Sequence, residues 1–569
     1  MMRSIIFTFF MFLTIACTWP LVRVMDSRLV GQIGDNVYFV WLYGWFRKAI
    51  FELHVNPFIV PFLNYPEGCS LAHTEMSPAT LAIGFPFSFI WGNVFAYNFS
   101  ALATFVLSGF FMYLWIERET KSRWAGLIAG SFFAFSPYRF AHFRAGHLNL
   151  LGTMWLPLYF MGFSELLRGG KASPRMIWLT GIMLGLIGLS SIYYLYAALL
   201  ISFFALAVYL LFNRDLIRSR RFWRQGVVAC LIAAPIILLA VLPFVLLESQ
   251  GGLQSRDVFK VVGGSASLTD FLLPSTDHFL VGRWVSETFS RNQWIEGTLY
   301  LGIIPTVLSL FAIVNLRNET QRRRLILLLL LTGAFGFIFS LGTHLHWNEH
   351  IVDFALPQFL ETRLNRESIH IRLPVFYLFQ YLPMFSRLRT FKRFGIFLLL
   401  ALAALAGLGA AQLKQRIPAR RWPIIGLVIL LLGLLEFYPG QYQEFAQVHA
   451  RPVDYWLAEQ PGDGAVVQFP FYEVEDQDQV YNTLVHGKPF VGGFFNAFPP
   501  KQYIRIRPVM EGFPDIASLA LLRDLDVEYV VVDGAAYENF IDVQEAIADL
   551  GLNLVVIIGD EYVYMFNFY

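Results

Sequence analysis

The sequence predicts a polytopic α-helical membrane protein with a C-terminal α/β domain, on three observations. Of its 569 residues 56% are apolar and 17% aromatic, well above the roughly 45–50% apolar content of soluble domains. Apolar runs close to the length that crosses a bilayer, about 17–25 residues, recur eleven times before residue 440. The charges also divide by position. Five short connections and the N-terminus hold 20 of the 43 Lys and Arg but only 5 of the 41 Asp and Glu.

The expected spans are Ser4–Val22, Val94–Ile116, Trp124–Ala141, Leu148–Leu167, Met176–Ser190, Ile192–Phe212, Gln225–Leu247, Thr298–Leu316, Leu325–Leu341, Phe394–Gln412 and Trp422–Tyr438. The fifth meets the sixth through Gly188-Leu189-Ser190-Ser191, a tight turn. The basic connections are Glu117–Arg123, Glu165–Arg175, Arg214–Arg224, Arg317–Arg324 and Lys414–Arg421. Lys and Arg in short loops mark the cytoplasmic face. The N-terminus is therefore expected inside, in a prokaryotic cytoplasmic membrane. The C-terminus and the long loops 23–93, 248–297 and 342–393 are expected outside, where no ATP or nucleotide sugar is supplied. Pro78–Gly92 is apolar but short and interrupted by Pro86, so it is read as interfacial or re-entrant. Cys17, Cys69 and Cys230 form no disulfide framework.

Residues 1–440 thus form the membrane domain, and from about Gln441 the composition turns to a soluble α/β pattern. Ala465–Phe469 and Glu528–Val532 read as short buried strands, with a helix over Pro514–Leu525 between them. A second helix over Asp542–Leu550 precedes strands at Asn553–Ile558 and Tyr562–Phe568.

Polar residues at the outer ends of the spans carry the functional argument. Asp35 follows the first span and opens an aromatic, amphipathic stretch, Val37–Phe51, that suits a helix lying on the membrane surface. Asp35 either caps that helix or is a catalytic carboxylate. Arg139, His142, Arg144 and His147 join the third and fourth spans, where charge is costly and marks a site or a pathway. The guanidinium groups suit phosphate oxygens, and the histidines are expected to bind substrate. Trp294 and Glu296 precede the eighth span. Trp294 offers a face for a sugar, and Glu296 is either a second acidic group of the site or a helix N-terminal residue. Arg387, Arg389 and Arg393 stand on the side where basic residues are scarce, which suits a lipid-linked phosphate or another anionic headgroup. No P-loop or dinucleotide fingerprint is present, and no nucleic-acid partner is expected.

A first span, an outer Asp before a membrane-parallel helix, and then many spans with large outer loops: this resembles the GT-C superfamily of integral-membrane glycosyltransferases, most closely over the first seven spans. The resemblance implies a polyprenyl-phosphate sugar donor and an extracytoplasmic glycan, lipid or protein acceptor. It also implies catalysis by Asp35 and inversion at the sugar carbon, while Glu296 is the second catalytic candidate on its own position. Some members of the superfamily use a divalent metal and others do not; Asp35, His73 and Glu75 are the candidate ligands here, although a hydrogen-bonded loop pair is the simpler reading of the last two. The alternative function is a transporter or flippase for a lipid-linked glycan. Transporters place their sites near the midplane, often between two related halves, and this chain shows no such internal symmetry.

Overall fold

The computed structural model describes the chain except for residues 1, 254, 319–321, 365–367, 383–384, 472–475, 496–497 and 567–569. Every apolar run contains helix. Among the described residues five helical stretches are long and apolar enough to cross a membrane: Pro78–Thr120, Ile192–Phe212, Arg220–Ser249, Arg323–Ser340 and Phe391–Lys414. Met2–Cys17, Pro174–Ser190, Ile303–Val314 and Trp422–Phe437 are shorter apolar helices.

Two of the expected spans are broken. The third runs as a helix only over Arg123–Ala134 and resumes at Pro137, because Ser136, the residue before a proline, is held extended at ψ 148. The fourth divides into Leu148–Leu151 and Trp155–Leu166 around Gly152. A Cβ at Gly152 would meet Ser190 and Thr80 at 2.7 and 2.9 Å, so the break is packed tightly against two neighbours.

Pro78–Thr120 reverses at Gly92, where φ is +83. In a straight helix Gly84 and Ala96 would stand roughly 18 Å apart. Here a Cβ on Gly84 would lie 2.2 Å from the Ala96 carbonyl oxygen, and the rings of Phe87 and Phe99 are 4.3 Å apart. The stretch around Pro86 is therefore the first arm of a helical hairpin. At about 21 Å for its 14 residues it is too short to cross a bilayer core of about 30 Å.

The centre of the bundle is Gly395–Lys414, rich in Ala, Gly and Leu and buried along nearly its whole length. A helix that is apolar all round belongs inside. Its small residues let Arg123–Ala134, Ile303–Val314 and Arg323–Ser340 close on it. At Gly409 a Cβ would sit 1.9 Å from the Leu308 carbonyl oxygen. Arg220–Ser249 is the opposite case. It packs on Pro174–Ser190, buries one stripe (Phe222, Gln225, Ala229, Ala233, Ala240, Leu247) and leaves Leu231, Leu238 and Leu239 facing outward.

The stretch after Asp35 corrects the expectation of a surface helix. Asp35–Arg47 is helical and continues as a single π-helical turn, Lys48–Glu52, but Asn36 to Phe46 are all buried. One side packs on Pro78–Thr120 and another on Asp476–His486, with the Trp41 indole donating to Thr483 Oγ1 at 3.1 Å.

The C-terminal part is built on a four-stranded sheet, ordered Leu552–Ile558, Glu561–Phe566, Val527–Asp533, Ala465–Phe469. The last two strands are parallel and the others antiparallel. Central Val530 pairs with Val467 on one side and Tyr564 on the other. Helices Ile516–Asp524 and Phe540–Asp549 stand where the sequence placed them. Pro452–Glu459, Asp476–His486 and Lys501–Met510 are additional. The expected end of the last strand, beyond Phe566, lies outside the described residues. A separate two-stranded ribbon ties this part to the first loop: Arg28, Leu29 and Val30 pair antiparallel with Gln447, Ala446 and Phe445.

Candidate active site

Asp35 occupies the first turn of its helix, behind Gly34 at the N-cap. The cap reading does not need it. Asn36 Oδ1 accepts from the backbone N–H groups of Val37 (2.8 Å) and Gly34 (2.9 Å). The Asp35 carboxylate, 29% exposed, instead faces His147, whose Nε2 is 3.5 Å from Oδ2.

The close approach follows from the turn that ends Pro137–Arg144. Gly146 has φ +77, and a Cβ there would lie 2.6 Å from the Asn36 backbone nitrogen. Only glycine lets the turn come so close. We expect Gly146→Ala to cost about 1–3 kcal/mol of stability and to separate His147 from Asp35. Denaturant unfolding of the purified protein measures the first effect; an unchanged midpoint would show that the turn tolerates a side chain.

From His147 a chain of polar contacts runs inward. His147 Nδ1 and His142 Nδ1 are 2.8 Å apart, so one carries the proton and the other accepts it. His142 is wholly buried, and burial pushes its imidazole well below the usual pKa, against the opposing pull of Glu296. Among the described residues its Nε2 has no hydrogen-bond partner, and it lies 3.8 Å from Glu296 Oε2. Burial would raise the Glu296 carboxyl, but the Arg393 guanidinium outweighs it and holds Glu296 far below the carboxylate range. Arg393 donates to Glu296 Oε1 from Nε at 3.0 Å and from Nη2 at 2.7 Å. Its Nη1 is 3.6 Å from Glu75 Oε1, and Glu75 Oε2 accepts from Asn149 Nδ2 at 2.6 Å. The guanidinium also stands 4.9 Å from the centre of the Tyr193 ring.

The loop bearing Glu296 is anchored from beneath. Asp270, fully buried, accepts from Arg291 Nη1 at 2.6 Å and is 3.9 Å from Lys392 Nζ. Arg291 Nη2 donates to the Gly297 carbonyl at 3.2 Å. Asp270 and Lys392 thereby hold the two ends of the site, Glu296 and Arg393, in one frame.

The structure thus brings together Asp35, His142, His147, Glu296, Arg393 and Glu75. It separates the rest. Arg139 is not a phosphate ligand: its guanidinium is fully buried and donates to the carbonyls of Ala134 (2.9 Å) and Leu151 (3.0 Å), to Thr104 Oγ1 (3.0 Å) and to Thr153 Oγ1. The Phe105 ring covers it at 4.6 Å. Arg144 is paired with Asp277 and Glu444, and it lies 5.4 Å from the Trp294 ring centre, so one face of that indole is covered. The basic run Arg387–Arg393 does not act as one cluster, because its members are matched to different carboxylates. Arg387 pairs with Glu248, Lys392 with Asp270 and Arg393 with Glu296, while the Arg389 backbone N–H donates to the Tyr193 hydroxyl at 2.9 Å.

The three candidate metal ligands do not converge. His73 Nδ1 is bonded to the Phe498 carbonyl at 2.5 Å and its ring packs on Phe495, while Glu75 turns to Asn149 and Arg393. Among the described residues no three His, Cys, Asp or Glu side chains gather as a metal site, and no step below runs through a metal. Sequence reasoning missed Tyr193, Asn149, Asp270 and Arg291. Tyr193 and Asn149 stood at the outer ends of the expected spans Ile192–Phe212 and Leu148–Leu167, whereas Asp270 and Arg291 carried no local signal.

Residues 5–413 match the model of a family described as Domain of unknown function (DUF6311). No curated protein matches the chain. Among solved structures, the archaeal oligosaccharyltransferase AglB from Archaeoglobus fulgidus, in complex with an inhibitory peptide and a dolichol-phosphate, is similar over 93% of this chain and 69% of its own, with 13% identity and a TM-score of 0.51. The apo form of the A. fulgidus oligosaccharyltransferase covers the same shares, with 14% identity and a TM-score of 0.55. The arabinofuranosyltransferase AftD from Mycobacteria matches over 99% of this chain but 41% of its own, with 15% identity and a TM-score of 0.58. These likenesses show the fold that this chain shares with those membrane transferases, and the fold alone.

Proposed function

The chain belongs to the DUF6311 family, and from its fold and the geometry above we propose that it is a membrane glycosyltransferase moving a sugar from a polyprenyl-phosphate carrier to an extracytoplasmic acceptor. The observation that carries this reading is the continuous polar chain from Asp35 through His147, His142 and Glu296 to Arg393. It joins a partly exposed carboxylate, suited to take a proton, to a guanidinium suited to receive negative charge.

In the proposed reaction the acceptor hydroxyl gives its proton to Asp35 as its oxygen bonds to the anomeric carbon of the donor sugar. The bond from that carbon to the carrier phosphate breaks, the electron pair leaves with the phosphate, and the configuration inverts. Base catalysis requires only that the carboxylate be within hydrogen-bond reach of the hydroxyl. Positive charge fixed at the leaving group lowers the barrier without a proton donor, which is the role assigned to Arg393, with Glu296 as its positioning residue. The archaeal oligosaccharyltransferase holds a dolichol-phosphate, and a polyprenyl phosphate is the corresponding ligand proposed here.

The proposed topology has eleven spans with the N-terminus inside and the site outside. Reporter fusions after Thr120, Lys171, Arg220, Arg322 and Gln415 should all report cytoplasm; two or more external signals would overturn it. The function itself is tested by comparing cell-surface glycans from a deletion strain complemented with the wild-type chain and with Asp35→Asn. The wild type should restore a glycan that Asp35→Asn does not. Identical glycans in all strains would reject the transferase reading.

A further inference from the structure

A cavity opens where Arg144 meets Asp277 and Glu444, three residues before His147, and nothing in the proposed mechanism uses it. It encloses about 320 Å³ and is lined by Arg144, Asp277 and the segment Pro439–Glu444. Arg144 closes the helix that leads, through Gly146, to His147. Glu444 reaches back to the loop of Asp35: its Oε1 accepts from Gln32 Nε2 at 2.9 Å, and its carbonyl accepts from the Gly31 N–H at 3.0 Å. A Cβ at Gly31, whose φ is +82, would meet the Arg144 carbonyl oxygen at 2.2 Å. The wall is thus pinned to the residues just before the catalytic carboxylate, with its shape set in advance of any ligand.

The chemistry of the lining selects among ligand classes. One guanidinium faces two carboxylates, Asp277 and Glu444, and is paired with both. The Arg144 charge is therefore answered within the lining, which holds one more carboxylate than cation. Gln441 and Gln443 are exposed on it, and their amides have no side-chain partner among the described residues. Each amide presents donors and an acceptor, the pairing that a hydroxyl-bearing ligand satisfies. The volume is at the small end of ligand pockets, which span about 300–1,000 Å³. That is room for about one or two sugar rings.

We infer that this cavity is the acceptor subsite and that the acceptor is a neutral carbohydrate, held by Gln441, Gln443 and the Asp277 carboxylate so that one hydroxyl reaches Asp35. The inference rests on the transferase reading for its place in a reaction, but not for binding. It assigns donor and acceptor to opposite sides of Asp35: the phosphate to Arg393, the acceptor ring to the segment that leads into the C-terminal sheet.

The test is saturation-transfer NMR on the full chain in lipid nanodiscs, with methyl glycosides of common hexoses and pentoses as probes and an acetylated tetrapeptide amide as the contrasting probe. At least one glycoside should receive saturation from the wild type. In the double variant Gln441→Ala, Gln443→Ala the affinity should fall about tenfold, the loss of two hydrogen bonds. These side chains are exposed, so the fold is retained, which the thermal midpoint checks. Saturation of the peptide and not the glycosides, no saturation of any glycoside, or an unchanged affinity in the double variant would each overturn the inference. Glycosides that bind as expected to a protein that transfers no sugar from a polyprenyl-phosphate donor would uphold the subsite and reject the transferase reading instead.

Discussion

Asp35→Asn should leave a correctly inserted, stable protein whose transfer rate is lower by about 10²–10⁴, the usual contribution of a general base. The substitution keeps the size of the side chain and removes both the charge and the basicity. It also spares the local fold, because the turn before the helix is capped by Asn36 and not by Asp35. A purified variant tested with a polyprenyl-phosphate sugar should therefore show wild-type melting and almost no turnover. Retention of more than about a tenth of the wild-type rate would remove Asp35 from the chemistry.

Asp270→Ala should have the largest effect on stability. Asp270 is fully buried against Arg291 and Lys392, each 2% exposed at the side chain, and its Oδ2 also accepts the Ser267 N–H at 3.0 Å. Removing one partner of a buried ion pair strands the other, at a cost of about 3–5 kcal/mol. Here two cations are stranded. Because Arg291 also holds the Gly297 carbonyl, the neighbouring Glu296 should lose its position, and transfer should fall with stability. Denaturant unfolding in detergent measures the first effect. A midpoint within about 1 kcal/mol of wild type would mean that water reaches this triad and screens it.

The membrane part was legible because apolar runs announce themselves. Ile192–Phe212 begins and ends on the expected residues, and the strand Ala465–Phe469 does too. Six of the proposed site residues were visible for the related reason that ionisable groups at the mouths of apolar helices have few uses besides function. What a single sequence leaves ambiguous is which of two similar residues turns inward. Arg139 and Arg144 stand five positions apart in one motif; the first meets Thr104, Phe105 and Thr153, and the second meets Asp277 and Glu444. Their partners come from distant segments, so no local pattern separates a structural guanidinium from one lining a cavity. The helix after Asp35 shows a second ambiguity. Burial by lipid and burial by protein write the same apolar pattern, and only the packing of Asp476–His486 on that helix distinguishes them.

The ribbon between Arg28–Val30 and Phe445–Gln447 has a consequence for the timing of biosynthesis. At about 5–20 residues per second, a ribosome that has made Val30 needs roughly 20 to 80 seconds to reach Gln447. Throughout that interval the strand leading to Asp35 lacks its neighbour, and Gln32 lacks the Glu444 carboxylate it donates to. The loop that leads to Asp35 is thus made well before the segment that completes its surroundings. Until Phe445–Gln447 emerges the pocket is unfinished, so the proposed transfer waits on a late stage of synthesis.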